Sequence, residues 1–208
     1  MKRVFALEFR VFIVLPALTF FLLALAASPA DAHLVNSGFG PFYDGAAHLF
    51  ISPEDLLAVL ALGLLAGLGG PRYGRVVLFG LTGAWIAGGL AGLAQTREIG
   101  LQVVVIISFL AVGSLVALDR KLPIGMVIGL AVVLGLMHGF LNGTAMVAAK
   151  LGATGLIGIG SAVFVSAALV AAFVVWLQPA WARVGVRVAG SWIAAVGLLL
   201  LGWAMRGK

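Results

Sequence analysis

Apolar residues fill most of this chain in long blocks, and the polar and charged residues are gathered into short stretches between the blocks. Each block is close to the roughly 20 residues that a helix needs to cross a bilayer core. Glycines recur at four-residue spacing inside the blocks, which favours close helix packing in lipid. The pattern predicts an all-α membrane protein with six transmembrane helices in a single domain. The expected spans are about 54–70, 75–94, 100–118, 123–141, 155–177 and 188–205.

The first 32 residues have the pattern of an export signal. Basic residues at Lys2, Arg3 and Arg10 precede an apolar stretch over 11–27, and Ala30-Asp31-Ala32 is a small-x-small cleavage site. We therefore expect a signal peptide over 1–32, followed by one polytopic domain over 33–208. The alternative is a retained first anchor helix, because the apolar stretch is of borderline spanning length.

The amino-acid composition excludes several further classes of protein. The 208 residues are 63% hydrophobic and only 10% charged, which excludes an ordinary water-soluble domain. With no cysteine, disulfides, thiolate metal sites and cysteine nucleophiles are excluded. The net charge of +6 comes from basic residues in the connectors, as membrane topology requires, so we expect the lipid bilayer and no nucleic acid as partner.

Connector charge predicts the orientation of the bundle. A cleaved signal would leave the mature chain starting outside, and six crossings would return its C-terminus to the outside. Six basic residues then lie inside: Arg72, Arg75, Arg120, Lys121, Arg183 and Arg187. Four lie outside: Arg97, Lys150, Arg206 and Lys208. This excess fits the positive-inside rule and predicts a bacterial inner-membrane protein with both mature termini in the periplasm.

Ionisable groups in or beside membrane spans are costly and tend to mark pathways. All three histidines and three of the five carboxylates of the expected mature chain collect on the outer side, before or at the start of the first span and near the end of the fourth. Imidazole, carboxylate and amide groups together suit divalent nickel, cobalt, zinc or copper, as substrate or ligand and not as part of a prosthetic group. The candidate metal contacts are His33, Asp44, His48, Glu54, Asp55, His138 and Asn142.

The same residues also have ordinary structural explanations. Ser52-Pro53-Glu54-Asp55 is a good helix start, and capping alone would account for both acids. His138 can equally make a satisfied hydrogen bond between helices, with Asn142 one turn away as its neighbour.

Two stretches resemble the HupE/UreJ family of hydrogenase and urease accessory proteins. The segment from Gly38 to His48, followed by Pro53 to Ala66, is similar to the family's first-span motif, His-Pro followed later by Asp-His. His48 falls on the first histidine, Glu54 on the aspartate and Asp55 on the second histidine, while Leu49 replaces the proline.

The second stretch, His138-Gly139-Phe140-Leu141-Asn142-Gly143, is similar to the family's His-Gly-x-Ala-His-Gly, with Asn142 in place of the second histidine. The resemblance implies a divergent permease for nickel or cobalt rather than an enzyme, working with a metalloenzyme maturation system. It implies His48, Glu54, Asp55, His138 and Asn142 as the principal contacts, with His33 and Asp44 as entry ligands.

The sequence leaves two other functions open. A non-transporting scaffold that holds or hands on metal would use the same ligands. A rhomboid-like intramembrane serine protease would use Ser161 as its nucleophile, but that serine needs a base and no histidine follows His138. The small residues in the spans would allow a homo-oligomer as readily as packing within one chain.

Overall fold

The structure, a computed structural model, describes residues 37–95, 101–177 and 179–206. Within these residues the chain is all-helical. Seven helices are present there: α1 Pro41–Ile51, α2 Pro53–Gly69, α3 Pro71–Leu93, α4 Gln102–Leu118, α5 Ile124–Ala148, α6 Gly152–Trp176 and α7 Ala180–Arg206. The predicted signal peptide and His33 lie outside the described residues.

Four of these helices, α3, α5, α6 and α7, are long and apolar enough to cross a membrane. The short helix α1 and its neighbour α2 meet at a bend of 75° and pass the same test only as a pair. The apolar helix α4 has 17 residues and falls below the length threshold. The chain is thus a multi-pass membrane protein with four crossings by length and composition, or five with the bent pair.

Helix boundaries differ from the predicted spans in three places. Helix α1 was not predicted from the sequence, because its 11 residues are too few to cross a bilayer. Helix α5 continues to Ala148, so His138 lies near the middle of its helix and not near the end. Helix α7 begins at Ala180 and not near 188, because Arg183 and Arg187 are part of the helix and find partners on the α4 side.

Glycines bring α3 and α5 into direct backbone contact. A Cβ atom at Gly88 would overlap the carbonyl of Leu136, and one at Gly139 would overlap the carbonyl of Trp85. Only a residue without a side chain fits at such positions, as is common between membrane helices. Because Leu81 lies beside Gly135 and Gly89 lies beside Gly143, the two helices run parallel.

Similar contacts set the directions of the other helices. Helix α6 is antiparallel to α3, and α2 is parallel to α6. Helix α4 is antiparallel to α7, with Gly113 beside Gly190 and Leu110 beside Gly197. The parallel course of α3 and α5 requires the chain between them to return to its starting end, and α4 lies in that part of the chain. From α2 to α7, consecutive helices therefore alternate in direction.

This alternation gives the bundle two distinct ends. The α1 end contains α1, the start of α2 and the last turn of α5. The basic end contains the α2–α3, α4–α5 and α6–α7 connections, with Arg72, Arg75, Asp119, Arg120, Lys121 and Arg183. Most side chains of the buried core between the two ends are apolar, with Leu62, Leu81, Trp85, Phe109 and Ile159 among the fully buried ones.

Candidate metal site

The break between α1 and α2 has a local cause in the sequence. A residue that precedes proline is pushed out of the helical region towards extended backbone. Ser52 precedes Pro53 and is extended, with φ −99° and ψ 94°. Helix α1 therefore ends at Ile51, and α2 begins with Pro53 in its first turn, where a missing N–H costs nothing. This restart places Asp55 in the first turn of α2, inside the bundle.

Asp55 joins two side chains of α5. Its Oδ1 lies 2.8 Å from His138 Nδ1, and its Oδ2 accepts a hydrogen bond of 2.9 Å from Asn142 Nδ2. Asn142 also donates to the carbonyl of His138 at 2.8 Å, one helical turn away. The carboxylate can only accept, so His138 Nδ1 carries the proton in this arrangement. One buried acid thus fixes the orientation of both side chains.

The His138 ring and the Asn142 amide each have a second polar atom, which finds no hydrogen-bond partner among the described residues. His138 Nε2 and Asn142 Oδ1 are both buried without a hydrogen bond. His138 is 0% exposed and Asn142 is 2% exposed, so bulk solvent does not reach either group. Buried polar atoms are nearly always paired in folded proteins. Two unpaired lone-pair atoms one turn apart on α5 therefore point to a ligand.

His48 lies near this group on α1. Its Nε2 is 3.2 Å from the Ser52 hydroxyl, and its buried Nδ1 has no partner in the part of the chain that the structure describes. Burial lowers the pKa of the His48 ring, and the charges of Asp55 and Glu54 act against this shift. The structure therefore brings two of the sequence candidates from the first helix break, His48 and Asp55, close together in the interior.

The remaining candidates are more scattered. Asp44 is buried and accepts hydrogen bonds from the backbone N–H and the hydroxyl of Ser37, the former at 2.7 Å. Glu54 is exposed. In the described residues no group of three His, Asp or Glu side chains could hold a metal ion by itself. A ligand set built from the described residues would therefore include donors of another kind, such as the amide oxygen of Asn142.

The capping explanation accounts for Glu54 and Asp55 only in part. Both acids do lie in the first turn of α2, where they favour the positive end of the helix dipole. Ser52, however, makes no side-chain cap, because its hydroxyl bonds to His48. Asp55 is directed across the bundle to α5 and not to the backbone of its own helix.

One member of this group, Trp85 on α3, was not predicted from the sequence. Its ring stacks on His138 with a centroid distance of 5.4 Å and an angle of 23° between the planes. Trp85 is 0% exposed. Tryptophan in membrane proteins concentrates at the interfaces, so a tryptophan in the middle of a predicted span was the available signal. The other four tryptophans, Trp176, Trp181, Trp192 and Trp203, are all exposed on the helix bundle.

The features that a serine protease would need are not brought together. The Ser161 hydroxyl donates to the carbonyl of Ile157, in its own helix, at 2.8 Å. Ser161 lies on an exposed face of α6, whereas His138 is buried and engaged by Asp55.

Comparison with known proteins gives a family but no individual relative. No curated protein and no solved structure matches this chain significantly. A family model described as HupE / UreJ protein matches residues 21–200, which is most of the chain and includes all seven described helices except the end of α7. The chain therefore belongs to the HupE/UreJ family.

Proposed function

We propose that this protein is a permease for a divalent transition-metal ion, nickel or cobalt in the first place and copper or zinc as further candidates. The HupE/UreJ family is associated with nickel and cobalt transport or with accessory functions. The observation that carries the proposal is the buried Asp55–His138–Asn142 group, in which His138 Nε2 and Asn142 Oδ1 have no partner among the described residues.

The geometry of His138 suits metal binding. A histidine that binds metal through one ring nitrogen commonly donates its other N–H to a carboxylate, which fixes the ring and raises its basicity. Asp55 has this relation to His138 Nδ1, so Nε2 is the nitrogen whose lone pair is available. Both Asp55 oxygens are engaged by α5, and we therefore assign Asp55 to orient the ligands rather than to bind the ion directly.

The amide of Asn142 is fixed in the same way. Its NH₂ group donates to Asp55 and to the His138 carbonyl, which leaves the oxygen as the free atom. We propose that His138 Nε2 and Asn142 Oδ1 bind the ion together, with His48 Nδ1 as the third donor. The negative charge of Asp55 favours a cation here, because a charge in a poorly solvated site is weakly screened. Glu54, Asp44 and His33 are proposed as ligands on the entry side.

The break between α1 and α2 supports a transport site. Many transporters form their ion sites where a membrane helix is interrupted and two helix ends meet inside the bundle. In this chain the break at Ser52 lies between His48 and Asp55, two members of the proposed site. A binding site near the middle of α5 is accessible for exchange with either side only if the surrounding helices move.

We further propose six crossings, α2 to α7, with the basic end in the cytoplasm of a bacterial inner membrane and both mature termini in the periplasm. The alternating directions of these helices support this count, although α4 is short. The basic end carries six Lys and Arg residues, Arg72, Arg75, Arg120, Lys121, Arg183 and Arg187, as the positive-inside rule requires of the cytoplasmic side. The ion would then pass inward to a metalloenzyme maturation system.

The alternative function is a membrane scaffold that binds metal without moving it. It would use the same ligands, so the geometry of the site does not separate the two functions. A measurement of metal uptake does separate them. Radioactive nickel, cobalt, zinc and copper should be offered to proteoliposomes that hold the mature protein, with folded His48→Ala and His138→Ala variants for comparison.

Saturable uptake of one metal by the wild type, lost in both variants, is the expected result. Thr144→Ala on α5 is a matched control, because the Thr144 hydroxyl donates only to a carbonyl of its own helix. Metal binding without uptake would favour the scaffold. If the wild type shows no metal binding and no uptake, both functions are contradicted. Helix capping and helix packing then remain as the role of these residues.

A further inference from the structure

Two buried polar atoms of α3 have no hydrogen-bond partner among the described residues, and one of them belongs to the tryptophan that stacks on His138. They are Trp85 Nε1 and Thr82 Oγ1. Trp85 and Thr82 are three residues apart and therefore lie on the same face of α3, one turn from each other. An unpaired N–H or hydroxyl is costly inside a membrane protein, where no bulk water can satisfy it.

The packing of α3 on α5 locates this pair relative to His138. Leu81 lies beside Gly135, and Trp85 lies beside Gly139. Since the helices are parallel, Thr82 lies about one turn closer to the basic end than His138 does. The Trp85 ring is held against the His138 ring by stacking. An ion that moved from His138 along α3 towards the basic end would therefore pass the level of Thr82.

The chemistry of the two atoms limits what they can bind. An indole N–H only donates hydrogen bonds, so Trp85 cannot be a ligand of a cation. It can donate to an oxygen that the cation itself holds. The threonine hydroxyl both donates and accepts, so it can bind the same oxygen or contact the ion.

We propose that Trp85 and Thr82 form a hydration step on the basic-end side of His138, where the metal ion keeps a water molecule that accepts a hydrogen bond from Trp85 Nε1. This inference rests on the proposed permease function and adds to it a pair of residues that the ligand motifs do not contain. The step holds the ion's water while the ion leaves His138, because a divalent ion stripped of its water needs compensating oxygens at that depth.

The test uses the full chain in proteoliposomes and separates the rate of transport from binding. Trp85→Phe keeps a stacking ring but removes the N–H, and Thr82→Val keeps the shape but removes the hydroxyl. Each should lower the maximal rate of nickel uptake about tenfold, the size expected for one lost hydrogen bond to a charged complex. The equilibrium Kd for nickel should change less than about threefold, because His138 and Asn142 are untouched.

Conservative variants distinguish this role from packing. Thr82→Ser keeps the hydroxyl and should transport at the wild-type rate. Trp192→Phe, at a tryptophan that is 62% exposed on α7, is the matched aromatic control. The double variant Trp85→Phe with Thr82→Val should lose less than the two single losses multiplied together, because both residues act on one water molecule.

A fluorescence measurement reports on the same step without transport. Co²⁺ quenches tryptophan emission at short range, so an ion on His138 should quench Trp85 saturably. This component should disappear in Trp85→Phe and persist in Trp192→Phe.

The inference fails on its own if the wild type takes up nickel and both Trp85→Phe and Thr82→Val keep rates within about twofold of it. It also fails if Thr82→Ser is as slow as Thr82→Val, because the loss would then follow side-chain packing and not the hydroxyl. If Trp85→Phe does not fold, the comparison of Thr82→Val with Thr82→Ser tests the inference. Absence of wild-type uptake would overturn the proposed permease together with this step.

Discussion

An acidic side chain is hydrogen-bonded to another helix at each end of this bundle, Asp55 towards the α1 end and Asp119 at the basic end. The two acids differ in the exposure and the pairing of their partners. At the basic end Asp119 receives two hydrogen bonds from Arg183, one of them 2.7 Å from Nη2. The Arg183 side chain is 50% exposed. Arg187 donates to the carbonyl of Ala117, and Tyr73 donates to the carbonyl of Leu122. These groups are partnered and close to water.

At the other acid, Asp55, the partners are buried and their outward atoms are unpaired. Polar groups that only hold helices together can be satisfied completely, as they are around Asp119. The Asp55 carboxylate uses its hydrogen bonds to orient a histidine and an amide, and the lone pairs of these two groups remain unpaired. Such an arrangement is suited to binding a ligand. The difference separates a structural ion pair from a candidate binding site inside one chain.

Metal-linked stability is the strongest way to test this comparison. A ligand that binds only the folded state stabilises it by about 2.7 kcal/mol at a free concentration of 100 times Kd. We expect nickel or cobalt to raise the thermal unfolding temperature of the wild type in detergent. His138→Ala should abolish the rise, and Arg183→Ala should keep it. An equal rise in all three proteins would mean that metal binds elsewhere.

The same substitution at both acids gives the second test. Asp55→Asn removes the charge that fixes His138 and should weaken metal binding about 10- to 100-fold, the usual effect of losing such an orienting group. Asp119→Asn should change Kd less than about twofold, because Asp119 is at the far end of the bundle. Isothermal titration with Ni²⁺ or Co²⁺ measures both. Equal losses in the two variants would contradict the assignment of Asp55 to the metal site.

The sequence was sufficient for the class of fold and for most of the residues in the site. Long apolar blocks predicted an all-helical membrane protein, and the cost of polar groups in lipid singled out Asp55, His138 and Asn142 before any contact was known. The family suggested by the two motifs was confirmed by the match over residues 21–200. The metal contacts themselves stay predictions.

What the sequence could not supply depends on contacts between distant segments. Asp55 and His138 are 83 residues apart, and only the packing of the bundle shows that they share a hydrogen bond. The stacking of Trp85 on His138 follows from the parallel register of α3 on α5, which the glycine spacing alone does not define. Helix α1 was missed because a span-length criterion ignores a helix of 11 residues, although Gly40-Pro41 is a recognisable helix start.

The smallest expected effect concerns the ion pair at the basic end. Arg183→Ala should lower the free energy of unfolding by less than about 1 kcal/mol, because exposed ion pairs contribute little and lose part of that to solvent screening. The loss should shrink further at high salt, where the Debye length falls to about 3 Å in 1 M salt. Thermal unfolding at low and high salt checks this, and nickel uptake should stay within about twofold of the wild type. A large loss of uptake without unfolding would place Arg183 and Asp119 on the exit route of the ion, and the two ends of the bundle would then no longer divide into a structural and a binding end.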